Sequence, residues 1–301
     1  MTAIYHRFGF YSFTSDEMGQ YGTFDTTVAS GNNIFVYNLG NSAFREECAN
    51  STYINETSVY FDYCQDPEQY IAVDTFNAIE SAQIAKSAQL IIYPYPNAID
   101  VPPAFFEEIP DPLGSYSMSG NPISYQFNPN IIDDISVLSF SLKKEGTQEE
   151  LAYITLNENN DPNSNLTDKQ FVYFPQDRLD YATTYEISLV YKRSGLASSK
   201  TVTSRFTTDA LDARVIEIDE RVATVNISTG EEVVFYFTAD KNFPQNMCVS
   251  GYGYLLSSEA SLNVETIDAV TYKLKLEGNA ESFEFTLNSA LGDIVVNVNV
   301  E

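Results

Sequence analysis

The sequence has 301 residues, enough for two or three domains that each bury their own core, and its 44% hydrophobic content excludes wholesale disorder. Sixteen Lys and Arg against 42 Asp and Glu give a formal charge of −26, which repels nucleic acid phosphates and anionic lipid headgroups. We therefore expect no nucleic acid partner, and no apolar run is long enough to predict membrane insertion.

Residues 1–108 mix helical and extended patterns. Residues 34–39 predict a strand, residues 74–89 predict a helix with Asp74 as its N-cap, and residues 90–93 predict a short strand that prolines end.

Three cysteines are too few for a disulfide scaffold. Cys48 and Cys64 flank a polar loop, and a bond between them would close about 15 residues and contribute about 3 kcal/mol in the chain-entropy model. We predict this disulfide bond if the compartment is oxidising.

Residues 102–114 contain five prolines and glycines, which interrupt helix and sheet hydrogen bonding. They predict a domain boundary near residue 108, with Phe105 and Phe106 docked on a neighbouring domain.

From residue 121 the hydrophobic period becomes two, which is typical of half-buried strands. Six or seven such strands before residue 208 and a second set after it predict two antiparallel, immunoglobulin-like β-sandwiches. The fold class is thus mainly β, with a partial α/β region at residues 1–108 and sandwiches at residues 109–208 and 209–301.

Two segments share the form Thr-Tyr-x-apolar-x-apolar, residues 184–189 and 271–276. The match indicates that the sandwiches are diverged copies, and a tyrosine at such a strand start often ties down a corner through its hydroxyl.

The chain carries few signs of chemistry. His6 is the only histidine, so a zinc site would need carboxylates and distant cysteines with no recognisable spacing. Asp161, Asn163 and Asn165 match the first three ligand positions of a calcium loop, although Leu166 and Val172 stand where glycine and glutamate belong. An ordinary Asp/Asn turn is the alternative. We predict no catalytic residues, because no nucleophile turn or phosphate-binding glycine loop is present.

Three N-terminal segments occur in a characteristic order: residues 5–10 (YHRFGF), 17–22 (EMGQYG) and 34–40 (IFVYNLG). They resemble the second half of a bacterial CAP (SCP-like) domain, the fold of cysteine-rich secretory proteins, antigen 5 and plant pathogenesis-related proteins. Residues 102–108 and 121–128 look like the continuation found in some larger bacterial CAP-containing proteins.

The resemblance implies an α-β-α sandwich with a cleft lined by two histidines and two acidic residues, sometimes loaded with metal. His6 would be the second histidine, and zinc would bind only in a complete cleft. The other cleft positions and the secretion signal are expected upstream, so the chain looks like the C-terminal part of a longer secreted protein.

We predict a non-enzymatic binding or adhesion module, extracellular or on the bacterial cell surface, that contacts protein or a cell-surface glycan. The missing CAP half or another copy of the chain is a further expected partner, since half a domain exposes apolar surface. Two alternatives stay open. One is a metal-dependent hydrolase or ligand-sequestering CAP protein in the full-length form. The other is a structural subunit of a filament or lattice, in which residues 294–300 pair with another chain at a sheet edge.

Overall fold

The structure is a computed structural model that describes residues 3–24, 33–50, 59–60, 64–66, 69–242, 249–257 and 259–301. The chain divides into two compact units. The smaller unit comprises residues 5–91 and 126–134, and the larger unit comprises residues 1–4, 92–125 and 135–301.

The smaller unit combines short helices with a hairpin. Its elements are α1 (Ile4–Phe10), β1 (Glu17–Phe24), β2 (Asn33–Gly40), α2 (Ser42–Asn50), β3 (Val59–Tyr60), β4 (Ile71–Ala72) and α3 (Val73–Lys86). Strands β1 and β2 form an antiparallel ladder, and β3 pairs antiparallel with β4.

Side chains fix the start of α2. Asn41 Oδ1 accepts a hydrogen bond from the Ala43 N–H at 2.9 Å. The Asp16 carboxylate accepts hydrogen bonds from the Ser42 N–H and hydroxyl, both at 2.7 Å, which lowers the pKa of Asp16. These acceptors satisfy backbone donors that a helix start leaves unpaired.

Helix α3 lies where the sequence predicts a helix, but its cap differs. Ala72 is the N-cap residue and makes no side-chain cap hydrogen bond, while Asp74 lies in the first turn, where its charge favours the helix N-terminus. At the other end, Asn128 Nδ2 donates to the carbonyls of Ile84 and Ala88 at 2.8 and 3.1 Å.

A small core packs α2 against α3, and a disulfide bond ties α2 to the segment between β3 and β4. Phe44 stacks on Phe76 with ring centroids 4.6 Å apart, and Ile71 packs in the same cluster. Cys48 and Cys64 are joined by a disulfide bond with their Cα atoms 5.5 Å apart.

The larger unit contains two sandwiches, and the fold class is confirmed as mainly β with immunoglobulin-like sandwiches. The strands of the first sandwich and its insertion are β5 (Leu90–Tyr93), β6 (Ala98–Val101), β7 (Ala104–Phe105), β8 (Ser119–Gly120), β9 (Ile123–Phe127), β10 (Ile135–Lys144), β11 (Tyr153–Asn157), β12 (Gln170–Pro175), β13 (Thr184–Arg193) and β14 (Lys200–Thr208). Its sheets have the orders β10-β13-β14-β6 and β11-β12-β9-β5.

The second sandwich repeats this arrangement. Its strands are β15 (Arg214–Ile218), β16 (Val222–Ile227), β17 (Glu232–Phe237), β18 (Val249–Leu255), β19 (Ala260–Asp268), β20 (Thr271–Gly278), β21 (Ser282–Ser289) and β22 (Ile294–Val300). The sheet orders are β15-β17-β20-β19 and β16-β22-β21-β18. Both sandwiches therefore have the ABED and CFG sheets of immunoglobulin domains, with one further strand beside G.

Aromatic rings join the facing sheets. In the first sandwich Phe140 of β10 stacks on Tyr173 of β12 with centroids 3.8 Å apart, and Tyr125 of β9 meets Phe140 edge-on. In the second, Phe235 of β17 meets Phe285 of β21 edge-on at 5.8 Å. The alternating apolar residues thus form two sheet-to-sheet cores.

The sheets are mixed rather than purely antiparallel. Strand β6 pairs parallel with β14, β15 pairs parallel with β17, and β16 pairs parallel with β22. In each sandwich the first two strands belong to opposite sheets, so the second of them lies beside the last strand and runs in the same direction.

The last strand is not a free edge. Strand β22 pairs with β16 along one edge and with β21 along the other, so the backbone groups at both edges are already hydrogen-bonded. The expected pairing of residues 294–300 with another chain at a sheet edge is therefore wrong for this fold.

The shared Thr-Tyr motif falls on different strands. Tyr185 is the second residue of β13, the F strand, whereas Tyr272 is the second residue of β20, the E strand. Both still tie down a corner: the Tyr185 hydroxyl accepts from the Asp180 N–H, the Tyr272 hydroxyl donates to the Ala269 carbonyl, and burial raises the pKa of each to about 12. The common strand order, rather than this motif, relates the two sandwiches.

Removing the disulfide bond with Cys48→Ala and Cys64→Ala should destabilise the smaller unit by about 3 kcal/mol. The two cysteines are separated by 16 positions, and the unfolded chain regains the conformational entropy that closing this loop removes. Hydrogen exchange should show faster amide exchange in α2 and α3. Amides of β13 and β21 serve as the internal control, and a uniform change in both regions would contradict a local effect.

Candidate functional site

A connected set of polar contacts lies where the two sandwiches of the larger unit meet. Arg178 and Tyr181 come from the segment between β12 and β13, and Tyr236, Asp268 and Thr271 come from β17, β19 and β20. We call these five side chains the junction cluster.

A buried ion pair lies at the centre of the junction cluster. Arg178 Nη2 lies 2.7 Å from Asp268 Oδ2, and Nη1 lies 3.2 Å from Oδ1, a two-point contact between guanidinium and carboxylate. The side chains are only 4% and 15% exposed. Such a bidentate pair fixes orientation as well as distance.

Further hydrogen bonds satisfy the acceptors of the Asp268 carboxylate. The Tyr181 hydroxyl donates to Asp268 Oδ2 at 2.7 Å and lies 3.1 Å from Thr271 Oγ1. Asp268 Oδ1 also accepts from the Val270 N–H at 2.9 Å. These donors replace the water that the carboxylate loses on burial.

Two tyrosine rings contact the guanidinium. Arg178 Cζ lies 4.6 Å from the ring centroid of Tyr181 and 4.8 Å from that of Tyr236. Both distances are within the range of cation–π attraction. Because the two rings belong to different sandwiches, Arg178 contacts both sandwiches.

Burial and charge act on these groups in opposite directions. Burial by itself raises the pKa of Asp268, but Arg178 and the hydrogen bonds from Tyr181 and Val270 outweigh it and hold that pKa below its ordinary 3.8. Burial raises the pKa of Tyr181, so its hydroxyl stays protonated and able to donate.

A hairpin inserted between β6 and β9 contacts both sandwiches. Phe105 of β7 packs on Phe174 of the first sandwich at 5.4 Å, while Ala104, Phe106 and Met118 pack with the core of the second. Phe105 and Phe106 thus dock as the sequence predicts.

The hairpin lies close to the backbone it packs against. At Gly120 a Cβ atom would lie 2.6 Å from Pro175 Cβ and 2.8 Å from the Asp177 carbonyl oxygen, so only glycine fits.

Strands β5 and β6 precede residue 108, so the first sandwich takes two strands from the region before the predicted domain boundary. The boundaries at 108 and 208 stay a prediction.

The outward face of the β10-β13-β14-β6 sheet carries a groove of about 510 Å³, here called the sheet-face groove. Two rows of outward side chains run across it in strand register. The residues of the charged row are Lys143, Glu186 and Arg205, and those of the hydroxyl row are Ser141, Ser188 and Thr203. Pro96 and Asn97, from the loop between β5 and β6, also line the groove.

The predicted metal residues belong neither to the junction cluster nor to the lining of the sheet-face groove. His6 lies on α1 with an exposed side chain. Asp161 is buried, and its carboxylate accepts hydrogen bonds from the N–H groups of Asn163, Asn165 and Leu166 at 3.1, 2.6 and 2.9 Å. This is the geometry of the turn alternative. In the described ranges no three His, Cys, Asp or Glu side chains group as metal ligands. Zinc at His6 and calcium at Asp161 stay predictions.

The junction cluster was not found from the sequence. Arg178 and Asp268 are 90 positions apart and carry no local spacing signal. The Thr-Tyr motif at residues 271–276 does include Thr271, but nothing in the motif indicates its partner.

No protein-family model and no curated protein sequence matches the chain. Among solved structures, domains 1–6 of the surface layer protein SbsC share 12% identity at a TM-score of 0.24, over 76% of this chain and 28% of that one. The I9–I11 tandem of titin shares 9% identity at 0.23, over 70% and 65%. An endo-fucoidan hydrolase of glycoside hydrolase family 107 shares 10% identity at 0.23, over 95% and 39%. These TM-scores are too low to support an argument about function.

Arg178→Met should destabilise the larger unit by about 3–5 kcal/mol, because it leaves the Asp268 carboxylate buried without its counter-charge. Calorimetry should then show the sandwiches unfolding in separate transitions. Arg214→Met is the matched control: its pair with Glu231 is half exposed, so the loss should stay under about 1 kcal/mol. Equal effects of both substitutions would contradict a special role for Arg178.

The pH dependence follows from the lowered pKa of Asp268. A carboxylate with a depressed folded-state pKa contributes stability that is present above its ordinary 3.8 and is lost as pH falls through the folded value. The difference in unfolding free energy between the native chain and Asp268→Asn should therefore shrink as pH falls below 3.8. Denaturant titrations across this range measure it, and a difference that stays constant would argue against a charged Asp268.

Proposed function

We propose that this chain is a non-enzymatic binding module of a bacterial cell surface, in which two immunoglobulin-like sandwiches act as one rigid body. The junction cluster carries the proposal. A flexible spacer between domains needs only a solvated linker, whereas this junction buries an ion pair that tolerates little displacement.

A rigid tandem keeps its sheet faces in fixed relative orientation. Each sandwich has one CFG sheet whose outward residues are half-buried or exposed along β13 and β21. Two such faces on one body can bind a single extended partner with little loss of conformational entropy, which is the advantage of preorganisation.

The charge restricts the partner class. At a formal charge of −26 the chain repels polyanions, so the proposed partners are neutral glycans and neutral or basic proteins. In the part of the chain that the structure describes, no helix is long and apolar enough to cross a membrane. Placement outside the cell remains part of the proposal.

The binding proposal is tested with the whole chain immobilised and exposed to purified cell-wall polymers and surface-protein extracts. We expect saturable binding by the native chain. Arg178→Met, assayed below its unfolding temperature, should bind an extended partner at least about tenfold more weakly. The sheet faces of the two sandwiches are then no longer held in a fixed relative orientation. Absence of any saturable ligand would overturn the proposal.

The CAP relationship of residues 1–108 is kept as a separate hypothesis, based on the order of the three N-terminal segments. Zinc binding in a longer form of the protein would involve His6. Zinc content measured before and after His6→Ala tests this, and unchanged content would remove His6 as a ligand.

A further inference from the structure

We infer that the sheet-face groove of the first sandwich is a binding site for a neutral glycan chain. The inference rests on the proposed binding function and names its ligand class and site. The groove volume of about 510 Å³ lies within the range of roughly 300–1,000 Å³ that is usual for small-ligand sites.

The depth of the groove comes from a step in side-chain length. The residues of the charged row lie opposite one another on three adjacent strands. The residues of the hydroxyl row lie opposite one another on the same strands, two positions away. Long side chains therefore stand beside short ones, and the hydroxyl row forms the floor.

The two cations of the charged row are already neutralised. Lys143 Nζ lies 3.3 Å from Glu150 Oε1, and Arg205 Nη1 lies 3.3 Å from Glu145 Oε1. Arg205 Nε also donates to Asn97 Oδ1 at 2.9 Å. An anionic ligand would find no free positive charge here, while the whole chain repels it.

The groups left for a ligand are those that bind sugar hydroxyls. The Glu186 carboxylate and the hydroxyls of Ser188 and Thr203 form no side-chain hydrogen bond with any described residue, so both donors and acceptors line the groove. Mixed hydroxyl and carboxylate groups match a neutral saccharide better than an apolar ligand.

The test uses the full chain on an array of neutral and anionic oligosaccharides, with bacterial cell-wall and animal-type chains in separate sets. Binding to neutral chains in either set supports the site, and the responding set identifies the source. Binding to no chain, or to anionic chains alone, overturns the inference. A chain that binds a surface protein but no glycan leaves the proposed binding function standing.

Variants locate the site. Ser188→Trp fills the floor between buried Ile187 and Leu189 and should abolish binding. Thr286→Trp is the matched control, since Thr286 lies between buried Phe285 and Leu287 on the F strand of the second sandwich, and binding should stay within about twofold. Glu186→Gln, which keeps the side-chain size, should weaken binding about tenfold. Equal binding by Ser188→Trp and Thr286→Trp, both folded by circular dichroism, would place the glycan elsewhere.

Discussion

The contact between Arg178 and Asp268 governs the arrangement of the larger unit. Two charges removed from water are stable only when each is met by a well-placed partner. Here the partners come from both sandwiches: Tyr181 lies on the Arg178 side, while Tyr236 and Thr271 lie on the Asp268 side. Displacing one sandwich would leave a charge buried without its complement, so the ion pair fixes geometry more than it adds net stability.

The inserted hairpin explains how two sandwiches of the same strand order become one body. In the second sandwich β16 leads into β17 through a short turn, whereas in the first the chain leaves β6 and returns only at β9. The added residues contribute Phe105 to one core and Met118 to the other. Gly120 allows this close approach because any side chain there would meet Pro175.

The sequence predicts what depends on period and composition. Alternation such as Tyr185, Ile187 and Leu189 identifies the strands and the buried face, and hence the mainly β fold. It does not identify neighbours, so neither the parallel pairing nor the interior position of β22 followed from it. Arg178 and Asp268 were missed because contacts between distant segments leave no local pattern. His6 was considered as a ligand because it is the only histidine in the sequence, and that count carries no information about which side chains surround it.

The parallel ladder between β16 and β22 has a mechanical consequence. It runs from Val222 opposite Val295 to Ile227 opposite Val300, joining the second strand of the second sandwich to its last strand. Tension that reaches the start of β16 and the end of β22 pulls the two strands lengthwise in opposite directions. All the hydrogen bonds of the ladder then share the load together, whereas a hairpin peels open one bond at a time. We expect a sandwich built this way to resist stretching along the chain better than its unfolding free energy alone would indicate.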